Sequence, residues 1–169
     1  MTSISRLDLA RQQLQFVRNY TKSLLDGLCE EDWFTVPTGA PTHIAWQVGH
    51  LAMAQYMLTL FRLRGKVDAD EPLISKRFLK RFIKGSTPQS DRAANLSMHE
   101  IRGTFDRVFD QLLVEWTNFT EADLDVPVVE PFIGYPNRFG SLLFCSHHEQ
   151  LHAGQIGLIR RLLGKPPVR

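Results

Sequence analysis

The chain has 169 residues, 43% hydrophobic and 22% charged, which is ordinary globular material and enough to bury one core. A net charge of +2 is too small to argue for nucleic acid or a membrane surface as partner. Two cysteines in unrelated contexts, Cys29 and Cys145, exclude a disulfide framework and point to a reducing, cytoplasmic setting. The N-terminal residues lack the continuous apolar core of a signal peptide, and no apolar run approaches the length of a membrane span. There is no internal repeat, so a single domain over residues 1–169 is expected.

In chain order, Ser5 to Leu28 reads as a first helix, with Leu7, Leu14, Val17, Leu24 and Leu28 at helical spacing. A turn-rich connection from Cys29 to Pro41 follows. Thr42 is placed to cap a second helix running to about Leu63, before Gly65. On it, His43, Gln47, His50 and Ala54 share a face, and Gly49 in its middle lowers helix propensity, a sign of close packing or a nearby ligand. Arg64 to Leu96 forms a long crossover, with a short amphipathic helix expected over Lys76 to Lys84. The basic residues of that run read as a solvated face or as a pocket rim that attracts an anionic substrate.

Ser97 and Glu100 make a capping pattern for a third helix ending near Phe119. Its core stripe is Met98, Ile101, Phe105, Val108, Leu112 and Trp116. A proline-rich loop from Glu121 to Gly140 carries Phe132, Tyr135 and Phe139, candidates to wall a pocket. A fourth helix runs from about Ser141 to Leu163, where Gly164, Pro166 and Pro167 stop it, and Arg160 is expected on its exposed side. Four long helices without a strand pattern predict an all-α four-helix bundle.

The chemistry concentrates in the fourth helix. Cys145, His148, His152, Gln155, Ile159 and Leu162 fall on one stripe, so the histidines are expected to point into the core. Two buried imidazoles need partners, and a pair at i and i+4 can hold one divalent ion. The sequence is literally His148-Glu149-x-x-His152, the zinc-protease pattern with Glu149 as general base. The surroundings argue against a protease. No histidine, aspartate or glutamate follows His152, and Gln155 and Leu158 stand where the extended pattern needs glycine and histidine.

A third ligand must therefore come from upstream. His50 lies about 12 Å along its helix and the histidine pair about 14 Å along theirs, so packing can bring them level. Three histidines with an open position resemble catalytic zinc centres. Cys145, one turn before His148, reads as a fourth ligand or as a small buried hydrophobe. His43 reads as an exposed or capping residue, with a role in holding a ligand left open. His147 lies off the stripe, and His99 beside the third-helix cap is expected to be solvated. Glu149 reads equally as a base or as a surface residue on the helix flank.

Two stretches carry a family resemblance: Ile44-Ala45-Trp46-Gln47-Val48-Gly49-His50-Leu51 and, more specific, His148-Glu149-Gln150-Leu151-His152-Ala153-Gly154-Gln155-Ile156. Through them the chain resembles the DinB/YfiT-like superfamily of metal-dependent enzymes. The resemblance implies a four-helix bundle in up-down-down-up order, with a long crossover between helices 2 and 3. It implies a metal, commonly zinc or nickel, on three histidines placed like His50, His148 and His152, and often a homodimer. Some relatives are S-transferases using the thiols bacillithiol or mycothiol, others are thiol-dependent isomerases, and a related domain binds iron in ergothioneine-pathway enzymes.

Three functions follow as expectations. One is a transferase acting on a low-molecular-weight thiol, with the metal keeping the sulfur as thiolate and the loop of Phe132 and Tyr135 holding the electrophile. Another is a hydrolase using metal-bound water, with Glu149 as base. The third is a metal-binding or stress-response module without catalysis. The expected partners are a small-molecule substrate and a second copy of the chain, with no nucleic acid and no membrane.

Overall fold

The computed structural model describes residues 4–89, 91–129 and 135–168. Among them there is no strand, only an isolated bridge between Pro127 and Asn137, and no helix is long and apolar enough to cross a membrane. Eight α-helices follow in order: α1 (Arg6–Leu25), α2 (Glu30–Phe34), α3 (Ile44–Leu58), α4 (Leu60–Arg64), α5 (Asp70–Leu73), α6 (Lys76–Arg81), α7 (Met98–Glu115) and α8 (Arg138–Leu162). The longest four build the core. Helix α3 packs against both α7 and α8, and α1 packs against α8.

Helix α1 starts as expected, with the Ser5 hydroxyl oxygen accepting from the Asp8 backbone N–H at 3.0 Å. It ends three residues early, because Gly27 takes a left-handed conformation at φ 72° and turns the chain. The connection after it contains α2, whose Trp33 and Phe34 are buried.

Helix α3 is buried nearly all round, as suits a central helix. Its cap is His43 rather than Thr42, since His43 Nδ1 accepts from the Trp46 backbone at 3.1 Å. The expected run to Leu63 breaks at Thr59 (φ −116°, ψ −90°). The Ser141 hydroxyl from α8 donates to the Leu58 carbonyl at 2.8 Å beside that break. The crossover holds α5 and the expected short helix, α6. Arg64 ties it to the core, donating to both Asp70 and Glu115 while the Tyr56 hydroxyl donates to Asp70.

Helix α7 follows its stripe closely: Ile101, Phe105, Val108, Leu112 and Trp116 are buried. The Ser97 hydroxyl caps it by accepting from Glu100 N–H. Helix α8 departs from its expected phase. Its buried face is Leu142, Cys145, Glu149, Ala153, Ile156 and Arg160; of the expected stripe Cys145 and Ile159 are buried, whereas Gln155 and Leu162 are exposed. The expectation of an exposed Arg160 is thus corrected. That side chain is 7% exposed and donates to the carbonyls of Leu24, Asp26 and Pro166, taking up carbonyls that the end of α1 leaves without helical partners.

Candidate metal centre

The packing of α3 against α8 brings His50, His148 and His152 together, with one ligating nitrogen of each within 4.8 Å of the others. His50 Nε2 lies 3.4 Å from His148 Nε2, and His152 Nε2 lies 3.2 Å from it. Two nitrogens bound to one zinc at about 2.0–2.1 Å with a tetrahedral angle stand about 3.3 Å apart. The spacing therefore fits a single small divalent ion.

The hydrogen bonds on the far side of the rings strengthen that fit. His50 Nδ1 donates to the Phe82 carbonyl at 2.8 Å. His152 Nδ1 donates to Gln47 Oε1, and Gln47 is held in turn by donating from Nε2 to Gln155 Oε1 at 2.8 Å. With their protons on Nδ1, neutral His50 and His152 both direct a bare lone pair at His148 Nε2. His148 Nε2 can carry at most one proton, which cannot serve two acceptors well. A shared cation satisfies all three nitrogens.

Burial is the main cause that lowers the proton affinity of each ring. It pushes His148 down to about 4 and His152 to about 3, with neighbouring imidazoles adding to both shifts. Burial lowers His50 as well, against the opposing effect of its bond to the Phe82 carbonyl. All three are thus neutral near pH 7, the form that coordinates a metal.

Gly49 explains how Phe82 comes to hold His50. A Cβ at this position would lie 2.4 Å from the Phe82 ring, so only glycine lets that residue sit against α3. Trp46 stacks on His50 with ring centroids 4.9 Å apart and planes 6° from parallel, and its indole N–H donates to Ser86. The histidines do not point into a closed core. They stand in the wall of a cavity of about 1160 Å3 that Trp46, Met53, Met57, Leu79, Ile83 and Phe144 also line.

The other candidate residues lie elsewhere. Glu149 is 2% exposed, not a surface residue, and both of its oxygens accept from Arg18, at 2.9 and 3.0 Å. It is not among the residues lining the cavity. Cys145 is buried, and burial raises its thiol pKa far above the usual range, so it behaves as a small hydrophobe outside the histidine cluster. His43 is buried rather than exposed, and caps α3 while its Nε2 donates to the Gln89 carbonyl. His147 and His99 are exposed.

Phe132 falls outside the described residues. Tyr135 packs on Gly140 and Phe144, and Phe139 lies under the Arg6 guanidinium, so neither lines the cavity. Lys76, Lys80 and Lys84 do line it. Sequence reasoning missed the supports of the ligands. The signal for Gln47 was present, three residues before His50 on the same face; the Phe82 carbonyl, a backbone group from a distant segment, left none.

The fold and site define a helical protein with a three-histidine cluster suited to a divalent metal, compatible with a metal-binding enzyme. Comparison with protein families places residues 13–156 in the DinB superfamily, and the chain belongs to it. No curated protein matches the sequence.

Proposed function

We propose that the protein is a metal-dependent S-transferase that joins a low-molecular-weight thiol to an apolar electrophile, with His50, His148 and His152 holding zinc or nickel. The supporting observation is the convergence of three neutral imidazoles in the wall of a largely apolar cavity. A divalent ion bound there would supply Lewis acidity and lower the pKa of an approaching thiol. The thiol releases its proton to solvent water, and the C–S bond forms as the bond between that carbon and its leaving group breaks and the group departs as an anion. Phe82 and Gln47 orient the ligands, Trp46 buttresses His50, and Met53, Met57 and Phe144 exclude water around the electrophile.

The hydrolase reading is weaker because the general base expected for it does not face the cavity. Glu149 is engaged by Arg18, and no aspartate or glutamate is among the described residues lining the cavity. A thiol also needs less help to ionise than water, since its free pKa is about 8.5 against about 15.7.

The reading includes a four-helix bundle in up-down-down-up order, supported by the contacts of α3 with α7 and α8 and of α1 with α8. It includes a homodimer, supported by apolar side chains exposed on the paired helices α1 and α8, Phe16 at 68% and Leu151 at 66%. Light scattering on the parent and on Phe16→Glu tests the dimer, and a parent of monomer mass refutes it. For the reaction, zinc- and nickel-loaded protein is assayed with cellular thiols and a chloronitrobenzene electrophile. Turnover that disappears in His148→Ala supports the transferase. Tight zinc binding without conjugation of any thiol would favour a module that only binds metal.

A further inference from the structure

The basic segment beside the histidines has a two-sided pattern. Phe78 and Phe82 point into the core, each 1% exposed. Lys76, Leu79, Lys80, Ile83 and Lys84, at successive spacings of three, one, three and one, line the cavity that holds the histidines. The three lysines are exposed, and no carboxylate among the described residues pairs with their ammonium groups; the lysines in ion pairs are Lys22 and Lys165. Glu71 accepts from the backbone of Lys76, not from its side chain. In a chain of net charge +2, three unpaired cations at one cavity are a local concentration of positive charge.

The same cavity exposes apolar surface to water. Ile83 is 56% exposed, Phe61 40% and Val129 100%, and all three line it. At about 1160 Å3 the space is large enough for a drug-sized molecule. Exposed apolar wall beside unpaired ammonium groups matches one kind of occupant, a molecule with an apolar body and an anionic end.

We propose that the cavity binds an amphipathic carboxylate, its apolar body against Met53, Met57, Ile83 and Phe144 and its carboxylate against Lys76, Lys80 and Lys84. Its identification as the electrophilic substrate rests on the transferase reading, with the reacting end toward the histidines; the binding itself does not. Specificity then comes from two ends at once, since a neutral apolar compound leaves the lysines unpaired and a small hydrophilic anion leaves the apolar wall wet.

The test is displacement of anilinonaphthalene sulfonate fluorescence from the full chain by decanoate, decanol and decyltrimethylammonium. Decanoate should displace the dye at about one-tenth the concentration of decanol, and the cation should be weaker still. Raising the ionic strength from about 0.05 M to about 0.5 M should narrow the gap. The exposed triple variant Lys76→Gln/Lys80→Gln/Lys84→Gln should lose the advantage of decanoate and keep the affinity for decanol. Equal displacement by decanoate and decanol overturns the proposal, as does an unchanged preference in the triple variant. Lysine-dependent sedimentation with vesicles of anionic lipid, without decanoate binding, also overturns it in favour of a membrane surface. His148→Ala separates the two readings: it should lose zinc uptake and keep the decanoate preference. A parent that takes up no zinc but still prefers decanoate would sink the metal reading alone.

Discussion

Arg18 and Glu149 form a buried ion pair, Nε to Oε1 2.9 Å, and Glu149 is the residue next to His148 on α8. The same guanidinium donates to the Phe105 carbonyl of α7 and to Gln55 of α3, and lies over the Phe105 ring at 3.5 Å. One side chain of α1 thereby touches each of the other three long helices. The glutamate of the His-Glu-x-x-His sequence serves this junction, on the face of α8 turned from the cavity.

Removing one partner strands the other charge in the core. Arg18→Met and Glu149→Leu should each cost about 3–5 kcal/mol, while the double variant should cost less than their sum. Urea unfolding measures all three. Additive losses would mean that the pair is not coupled.

The stripe of α7 was legible because every buried position used for it is apolar, from Ile101 to Trp116. The three histidines were legible because their spacing and depth are local properties of two helices. The phase of α8 was not, because its buried face contains Glu149 and Arg160, charges that hydropathy assigns to water. Their burial depends on partners far away in sequence, Arg18 for one and the carbonyls at the end of α1 for the other. The break at Thr59 was hidden for a similar reason, since Ser141 of α8 donates to the carbonyl beside it.

That correction changes an expected energy. Leu112→Ala, on the confirmed α7 stripe, should cost about 2–5 kcal/mol. Arg160→Ala should cost about 1–3 kcal/mol, because it strands buried carbonyls, rather than the roughly 0.5 kcal/mol of an exposed site. Thermal and urea unfolding of both variants check the pair. A near-zero loss at Arg160 would mean that water replaces its bonds freely.

Gly49→Ala sets propensity against space. In an open helix the change stabilises by about 1 kcal/mol. Here the new Cβ lies 2.4 Å from the Phe82 ring, so Phe82 must move and take the acceptor of His50 with it. The variant should be less stable than the parent and bind zinc about tenfold to a hundredfold more weakly. Calorimetry would oppose this account if zinc affinity were unchanged.

The histidines also set a pH dependence. An ordinary histidine takes its proton at 6.5, whereas folded His148 and His152 do so at about 4 and about 3. Between those values the unfolded chain binds more protons, so stability rises with pH across the window. Chelator-treated protein should therefore lose stability as pH falls below 6.5, with the loss from these two groups complete below about 3. Protonation of His148 and His152 should weaken zinc binding little between about pH 7 and about pH 5, because those two folded rings are already deprotonated there. Thermal unfolding against pH and zinc titration at both ends measure the two effects. A zinc affinity that falls steeply near pH 6 in the parent and equally in a His50→Gln variant would show ordinary proton affinities at His148 and His152.

Ligand and bystander can be told apart by substitution. His147 is exposed and adjacent to His148, and neighbouring residues on a helix diverge by about 100°. It cannot reach the point on which the other three converge without unwinding α8. Loss of one ligand from a site with three protein ligands leaves two, too few to hold the ion in a catalytic geometry. His50→Ala, His148→Ala and His152→Ala should each lose most of their zinc affinity, and His147→Ala should keep it. The Nε2 contacts of 3.2 and 3.4 Å both run through His148, so His148→Ala should show the largest loss. Calorimetric titration of the four apo variants decides between the assignments. If His50→Ala binds zinc as tightly as the parent, the ion is not held between α3 and α8.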